Sequence, residues 1–344
     1  SRAIMPESAA LFFYTGSFYY FLVWTTTGKF AVLFCSALFT ALAVATKIPA
    51  VFIGVPMLYM AWHKYGKRLF SQADLWFFAS LSLGLPLLYF AWLHHVAQTD
   101  YVTGIAAEQI LPNMFRAVFT PDSHLFLLSS LPRTYTIYGL LLAFTGLFTI
   151  KRTQEIPLLF WALALFLQTI TVVSIIKLDY YLVFLGPLLA LLGAKVLYRL
   201  AGCKAGLVAI VFICLAILLS GLYNTSTDYK EKENLLKYAE IVKKNTSPND
   251  LIVIGTPEPL LLNCSSRKGW RAKLLYANSP RDEIDYFIAN GGRFFFPVDT
   301  TIYNEAIYIK NDDYMKYLDA NYTKITVEDG HFFYILEKKH GTGH

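Results

Sequence analysis

Along the first 223 residues of this 344-residue chain, apolar stretches of membrane-spanning length alternate with short polar junctions. A hydrocarbon core of about 30 Å takes roughly 20 helical residues to cross. Eight stretches come close: Ser8–Thr27, Phe30–Thr46, Ile48–His63, Ala73–His95, Thr134–Ile150, Ile156–Ile176, Tyr180–Arg199 and Ala205–Tyr223. The second and third are short and meet at Thr46-Lys47-Ile48-Pro49, which suits either two spans or one kinked, re-entrant hairpin. The connection from residue 96 to residue 132 is long for a membrane junction. Ile105, Ile110, Leu111, Met114, Phe115, Val118 and Phe119 give its middle the pattern of an amphipathic helix lying at the interface.

From Asn224 onwards the pattern is that of a small α/β domain, so the division expected is 1–223 transmembrane and 224–344 soluble. Lys230–Lys244 predicts an amphipathic helix with Leu235, Leu236, Tyr238, Ile241 and Val242 on its apolar side. Leu251–Ile254 and Arg293–Pro297 read as buried strands, with helices at Arg281–Asn290 and Asp312–Ala320. Lys324–Val327 and His331–Leu336 read as a hairpin turning at Asp329-Gly330. The fold class expected is a multi-span helical membrane bundle followed by this domain.

Composition supports the division. The chain is 56% hydrophobic and only 16% charged, which excludes disorder and a typical cytosolic enzyme. Up to Tyr223 there are 14 Lys and Arg against 7 Asp and Glu; beyond it the balance is 16 against 17. The net charge of +6 therefore belongs to the membrane half, where cations punctuate apolar segments instead of forming a stripe for nucleic acid. Alternate junctions differ sharply. One set holds Lys29, Lys64, Lys67, Arg68, Lys151, Arg152, Lys195, Arg199 and Lys204 against Asp74 and Glu155, and the other balances five cations with five acids. The positive-inside rule puts the first set in the cytoplasm. Glu7, Lys47, the 96–132 loop, Lys177–Tyr181 and the C-terminal domain then share the extracytoplasmic side.

Four cysteines, three of them in or beside apolar segments, give no disulfide framework and no Cys-type zinc site. No P-loop, dinucleotide fingerprint or metalloprotease motif occurs, and the seven histidines have no ligand spacing. No cofactor is expected and no residue is marked as a metal ligand, with a divalent-metal requirement left open. Ser1 opens the chain with no Met, which reads as a fragment or a processed product.

Candidate chemistry lies at the mouths of the spans. Pro6-Glu7 opens the first span with a carboxylate that suits either acid–base work or the dipole of a helix N-terminus. Lys47 sits between two apolar helices with almost no loop to carry it into water. Its ammonium suits a lipid phosphate, or simple snorkelling. Lys177-Leu178-Asp179-Tyr180-Tyr181 combines phosphate-binding groups with the aromatics of a membrane belt. Arg116 is a candidate for an anionic headgroup. In the soluble half, Pro257-Glu258-Pro259 and Ser265-Ser266-Arg267-Lys268-Gly269-Trp270 read as a surface loop after a strand. There Arg267 and Trp270 could cap the membrane site and offer a face for sugar stacking.

In their order and spacing, Arg2–Glu7, Ala45-Thr46-Lys47-Ile48-Pro49, Lys177–Pro187 and Arg267–Trp270 resemble segments of the C-class glycosyltransferases. The likeness is to the group of protein O-mannosyltransferases and lipid A aminoarabinose transferases, whose usual Thr-Lys-Gly-Pro has Ile48 in place of Gly here. The resemblance implies transfer of a sugar from a polyprenyl-phosphate carrier to a lipid, protein or glycan acceptor. The reaction would run on the extracytoplasmic face of a plasma (inner) membrane, with inversion, and involve no nucleic acid. It makes Glu7 a supporting acid. Lys47, Lys177 and Arg116 become phosphate-binding groups, and Tyr180 and Tyr181 shape the pocket. The family's main base, an Asp in the loop after its first span, has no counterpart here, as expected of an N-terminally truncated chain. The competing classes are a transporter or flippase for an anionic lipid, which would bind with the same cations without reacting, and a non-catalytic scaffold.

Overall fold

The computed structural model describes residues 6–96, 110–151, 155–202, 204–226, 233–255, 259–272, 280–298, 312–327 and 330–338. The chain divides into two compact units, Ser1–Asp228 and Tyr229–His344.

The first unit is a bundle of apolar helices, and most of their ends carry a local stop signal. Helix α1 (Glu7–Thr27) follows Pro6 and stops at Gly28, whose left-handed backbone lets its N–H bond Trp24 O at 2.8 Å. Helix α2 (Phe30–Thr46) ends at Lys47, which is extended. Pro49 then starts a 3-10 turn, Ile48–Ile53, that leads into α3 (Gly54–Tyr65). Lys64 Nζ donates to Trp24 O at 3.3 Å, so α3 returns to the far end of α1. Residues 30–65 therefore run as two helical arms alongside α1 with their turn at Lys47.

Helix α4 (Ala73–Val96) carries Pro86 within it. The stretch read from sequence as a loop to residue 132 contains helix α5 (Pro121–Tyr135), with Pro121 in its first turn and Pro132 near its end. The described part of the expected interfacial helix forms only a turn at Leu111–Asn113 and a 3-10 turn at Ala117–Phe119. Helix α6 (Ile137–Leu147) follows α5 through Thr136, which has φ 57°, and the two helices meet at 94°. Helix α7 (Ile156–Gln168) widens into a π turn at Thr169–Val173 and continues to Ile176. A 3-10 segment, Asp179–Leu185, leads into α8 (Gly186–Leu200), and α9 (Lys204–Ser226) completes the unit.

Among the described residues, Ala73–Val96, Ile156–Ile176, Asp179–Leu200 and Lys204–Ser226 are each long and apolar enough to cross a membrane, and the bent α5–α6 pair passes as a fifth. Helix α2 is apolar but shorter. The unit is a helical membrane bundle, and its large buried residues (Tyr14, Phe21, Trp24, Trp161, Phe184) form one aromatic-rich core.

The second unit is a five-stranded sheet in the order β2-β1-β3-β5-β4. Strands β1 (Leu251–Gly255), β2 (Lys268–Arg271) and β3 (Gly292–Pro297) run parallel, while β5 (Phe332–Lys338) pairs antiparallel with β3 and with β4 (Tyr322–Thr326). On one face Leu235, Tyr238, Ile241 and Val242 of α10 (Glu233–Asn245), with Leu261 of α11 (Leu260–Ser265), pack on Ile252, Ile254, Phe296 and Phe333. Leu236, expected on that apolar side, is exposed instead. On the other face Ile284 and Phe287 of α12 (Pro280–Ala289) and Leu318 of α13 (Asp312–Asn321) cover Val253, Phe295 and Tyr334. Strand β2 lies where sequence suggested only a loop. Its Gly269, at φ 151°, passes so close to β1 that a Cβ there would meet Ile252 O at 1.7 Å.

Close approach also joins α6 to α8, where a Cβ on Gly146 would stand 2.3 Å from Leu192 O. Gly146→Val is expected to force the helices apart at a cost of about 1–3 kcal/mol. A lowered thermal unfolding midpoint of the detergent-solubilised protein would show it; an unchanged midpoint would mean the contact is slack.

Candidate active site at one end of the bundle

Because the helices alternate in direction, one end of the bundle collects the start of α1, the turn at Lys47, the ends of α4, α7 and α9, and the start of the 3-10 segment at Asp179. The opposite end collects Lys29, Lys64, Lys67, Arg68, Lys151, Lys195, Arg199 and Lys204. Lys195 pairs with Glu155 at 2.6 Å, and Arg199 Nη2 donates to Thr149 O at 2.8 Å. The two sets of junctions distinguished by charge are thus two separate surfaces.

At the first end, residues from three distant parts of the chain converge. Lys47 Nζ lies 2.5 Å from Glu7 Oε1, and both side chains are only 10% exposed. The same ammonium stands 4.4 Å from the ring centroid of Tyr180 and 4.0 Å from that of Tyr181. The two rings are themselves stacked at 5.1 Å. A buried ion pair is favourable only when further groups compensate lost hydration, and two aromatic faces supply part of that for the cation. The carboxylate is less well served: Glu7 Oε2 is buried with no hydrogen-bond partner among the described residues.

Lys177 is placed at the same end but turned to a different partner. It takes a left-handed conformation, φ 52°, at the close of α7, and its Nζ lies 3.8 Å from Asp122 Oδ2. Asp122 is largely exposed, so this is a loose surface pair, as is Arg133 with Asp179 at 3.9 Å. Arg116 is exposed beside the 3-10 turn Ala117–Phe119. Glu108 and residues 1–5 lie outside the described residues.

Helix α5 is fastened across this end by hydrogen bonds. Ser123 Oγ donates to Ser174 O at 2.8 Å and Tyr135 OH to Leu182 O at 2.6 Å. Asn224 Nδ2 of α9 donates to Pro132 O and Arg133 O at 3.1 and 3.0 Å. These polar anchors were not singled out from the sequence, where each is one more small polar residue at a span boundary.

In the second unit Arg267 serves its own domain. Its Nε donates to Thr246 Oγ1 at 2.9 Å, its Nη2 to Thr246 O and Lys243 O at 2.8 and 3.2 Å, and its Nη1 to Ser265 O at 3.2 Å. The guanidinium caps the C-terminus of α10, where a cation is favoured. Trp270, on β2, is half-buried with its ring 5.7 Å from Phe287. Glu258 and Pro257 lie outside the described residues.

Glu7 and Lys47 also lie in the part of the chain that has known likeness. Residues 1–102 match the family of dolichyl-phosphate-mannose-protein mannosyltransferases. The match takes in α1 to α4 and both members of the ion pair, and stops short of Arg116, Lys177 and the two tyrosines. Among curated proteins, none matches the chain.

A buried pair stripped of one member leaves an uncompensated charge. Glu7→Ala is therefore expected to cost about 3–5 kcal/mol, and Glu7→Leu combined with Lys47→Met distinctly less. Unfolding midpoints of the detergent-solubilised variants check this; equal losses would mean the pair is not coupled.

Proposed function

We propose that the chain is an integral membrane glycosyltransferase that moves a sugar from a polyprenyl-phosphate carrier to an extracytoplasmic acceptor. The observation that carries this reading is the Lys47 ammonium held between the Glu7 carboxylate and the rings of Tyr180 and Tyr181 at one end of the bundle. The match of residues 1–102 supports it, and so does the charge alternation, which favours the extracytoplasmic side for this end.

The chemistry asks for few parts. An acceptor hydroxyl or amine attacks the anomeric carbon as the bond from that carbon to the phosphate oxygen breaks, and the acceptor's proton passes to the departing phosphate or to water. The electron pair leaves with the phosphate, which gains negative charge in the transition state. A fixed cation in a water-poor setting stabilises that charge without having to reorganise. Lys47 is such a cation, with Lys177 and Arg116 as outer attractions for the carrier phosphate. Tyr180 and Tyr181 keep the ammonium oriented and give one wall of the pocket. Glu7 acts as the supporting acid, holding Lys47 and accepting hydroxyl donors of the sugar. The reaction so drawn calls for no cofactor.

The test is formation of a new glycosidic bond by the full chain in proteoliposomes supplied with dolichyl-phosphate mannose and a panel of lipid and peptide acceptors. Lys47→Ala is expected to lower transfer by at least about a hundredfold, the scale of losing a main charge-stabilising group. Glu7→Leu with Lys47→Met, which removes the charges without leaving one unpaired, should be equally inactive. Movement of unmodified lipid across the bilayer without bond formation would replace the enzyme with a transporter.

A further inference from the structure

One buried polar side chain near the site has no role in the reading above. Gln168 closes α7 and is 2% exposed, and its Oε1 has no hydrogen-bond partner among the described residues. A buried amide oxygen left unpaired is costly, so it calls for an explanation.

Its position follows from the helices. Trp161 Nε1 on α7 donates to Tyr14 OH on α1 at 2.8 Å, and both rings are fully buried. Glu7 lies seven residues before Tyr14, and Gln168 lies seven residues after Trp161. Seven residues are two turns, which keep the same helix face and cover roughly 10 Å of axis. Because α1 runs away from the Lys47 end and α7 runs towards it, both steps lead from the Tyr14–Trp161 bond to the site. Helix α7 also packs against the 3-10 turn that begins right after Lys47. Gln168 and Glu7 thus stand at the same level on helices joined through the Tyr14–Trp161 bond, with α3 and the 3-10 turn after Lys47 packed against α7. Each has a buried oxygen lacking a donor. The π turn begins directly after Gln168, and such widened turns are frequent at functional sites.

We infer that Gln168 is a positioning residue that, with Glu7, takes hydroxyl groups of the sugar on the lipid carrier. Two buried acceptors at one level of the bundle suit a polyol, which brings several donors. A phosphate would bring only acceptors, and it belongs to Lys47. Rotating the amide would present its NH2 instead, which a sugar oxygen can accept from, so either orientation meets a polyol. The division of labour is that Lys47 reads the phosphate, common to all carriers, and Gln168 with Glu7 reads the sugar. This rests on the proposed function.

The experiment measures binding of dolichyl-phosphate mannose and of dolichyl phosphate to the full chain in nanodiscs, for the wild type and Gln168→Leu, alongside thermal unfolding. Expected is a wild-type preference for the sugar-bearing lipid. In Gln168→Leu, affinity for that lipid should fall on the order of tenfold, the scale of one lost hydrogen bond in a buried site, with dolichyl phosphate unaffected and the unfolding midpoint not lowered. Gln168→Met serves the same purpose should the Leu variant fail to fold. A preference kept by the variant, equal weakening for both lipids, or no preference in the wild type would overturn the role of Gln168 while leaving the phosphate site standing. Binding of neither lipid by the wild type would overturn the glycosyl-transfer reading itself.

Discussion

A cation at the break between two apolar helices must be neutralised or hydrated, and at Lys47 the fold does mostly the former. Neither α2 nor the 3-10 turn after it offers a loop long enough to lift the ammonium into water. The charge therefore requires Glu7 beside it, which fixes the start of α1 against the end of α2. It also requires the Tyr180–Tyr181 faces, which bring the connection between α7 and α8 to the same place. Three crossings are thereby tied at one end by a single point charge. The deeper packing of Tyr14 with Trp161 and Phe184 continues the same alignment into the core.

The proposed site would divide stability from recognition. Apolar packing and close helix contacts, such as Gly146 on Leu192, hold the bundle. The unpaired oxygens of Glu7 and Gln168 do the opposite, since each is a buried polar atom with an unmet hydrogen bond. Binding sites commonly carry such local cost, because a group already satisfied by the protein has nothing left for a ligand. Beyond these positions, most buried hydroxyls at this end are bonded to backbone carbonyls, as Ser123 is to Ser174 O.

The helices were legible because each apolar run is broken by residues that halt or turn the chain: Gly28, Pro49 and the polar strings at residues 64–72 and 177–181. The grouping of Glu7, Lys47, Tyr180 and Tyr181 was legible for a related reason, since alternating spans bring alternate junctions to one end. Strand β2 was hidden because Lys268-Gly269-Trp270-Arg271 has no run of apolar residues; an edge strand with half-buried side chains needs none. Helix α5 was hidden by Pro121 and Pro132, which read as loop residues but stand in its first turn and near its end. The bond between Tyr14 and Trp161 joins residues 147 apart, and no local pattern announces such a pair. Gln168 gave a faint signal, as the one amide in a span whose other polar residues are hydroxyls.

The sharp bend at Thr136 sets a geometric datum for the whole end of the bundle. Helix α6 packs along α8, itself part of a stretch long and apolar enough to cross a bilayer, and α5 turns away from it by 94°. Leu125 and Leu128 on α5 are exposed, and Asp122 and Arg133 on the same helix form the loose surface pairs with Lys177 and Asp179. Its bonds to Ser174 O and Leu182 O couple α5 to the segment that carries Tyr180 and Tyr181. A tilt of α5 would therefore reach the two rings that face Lys47.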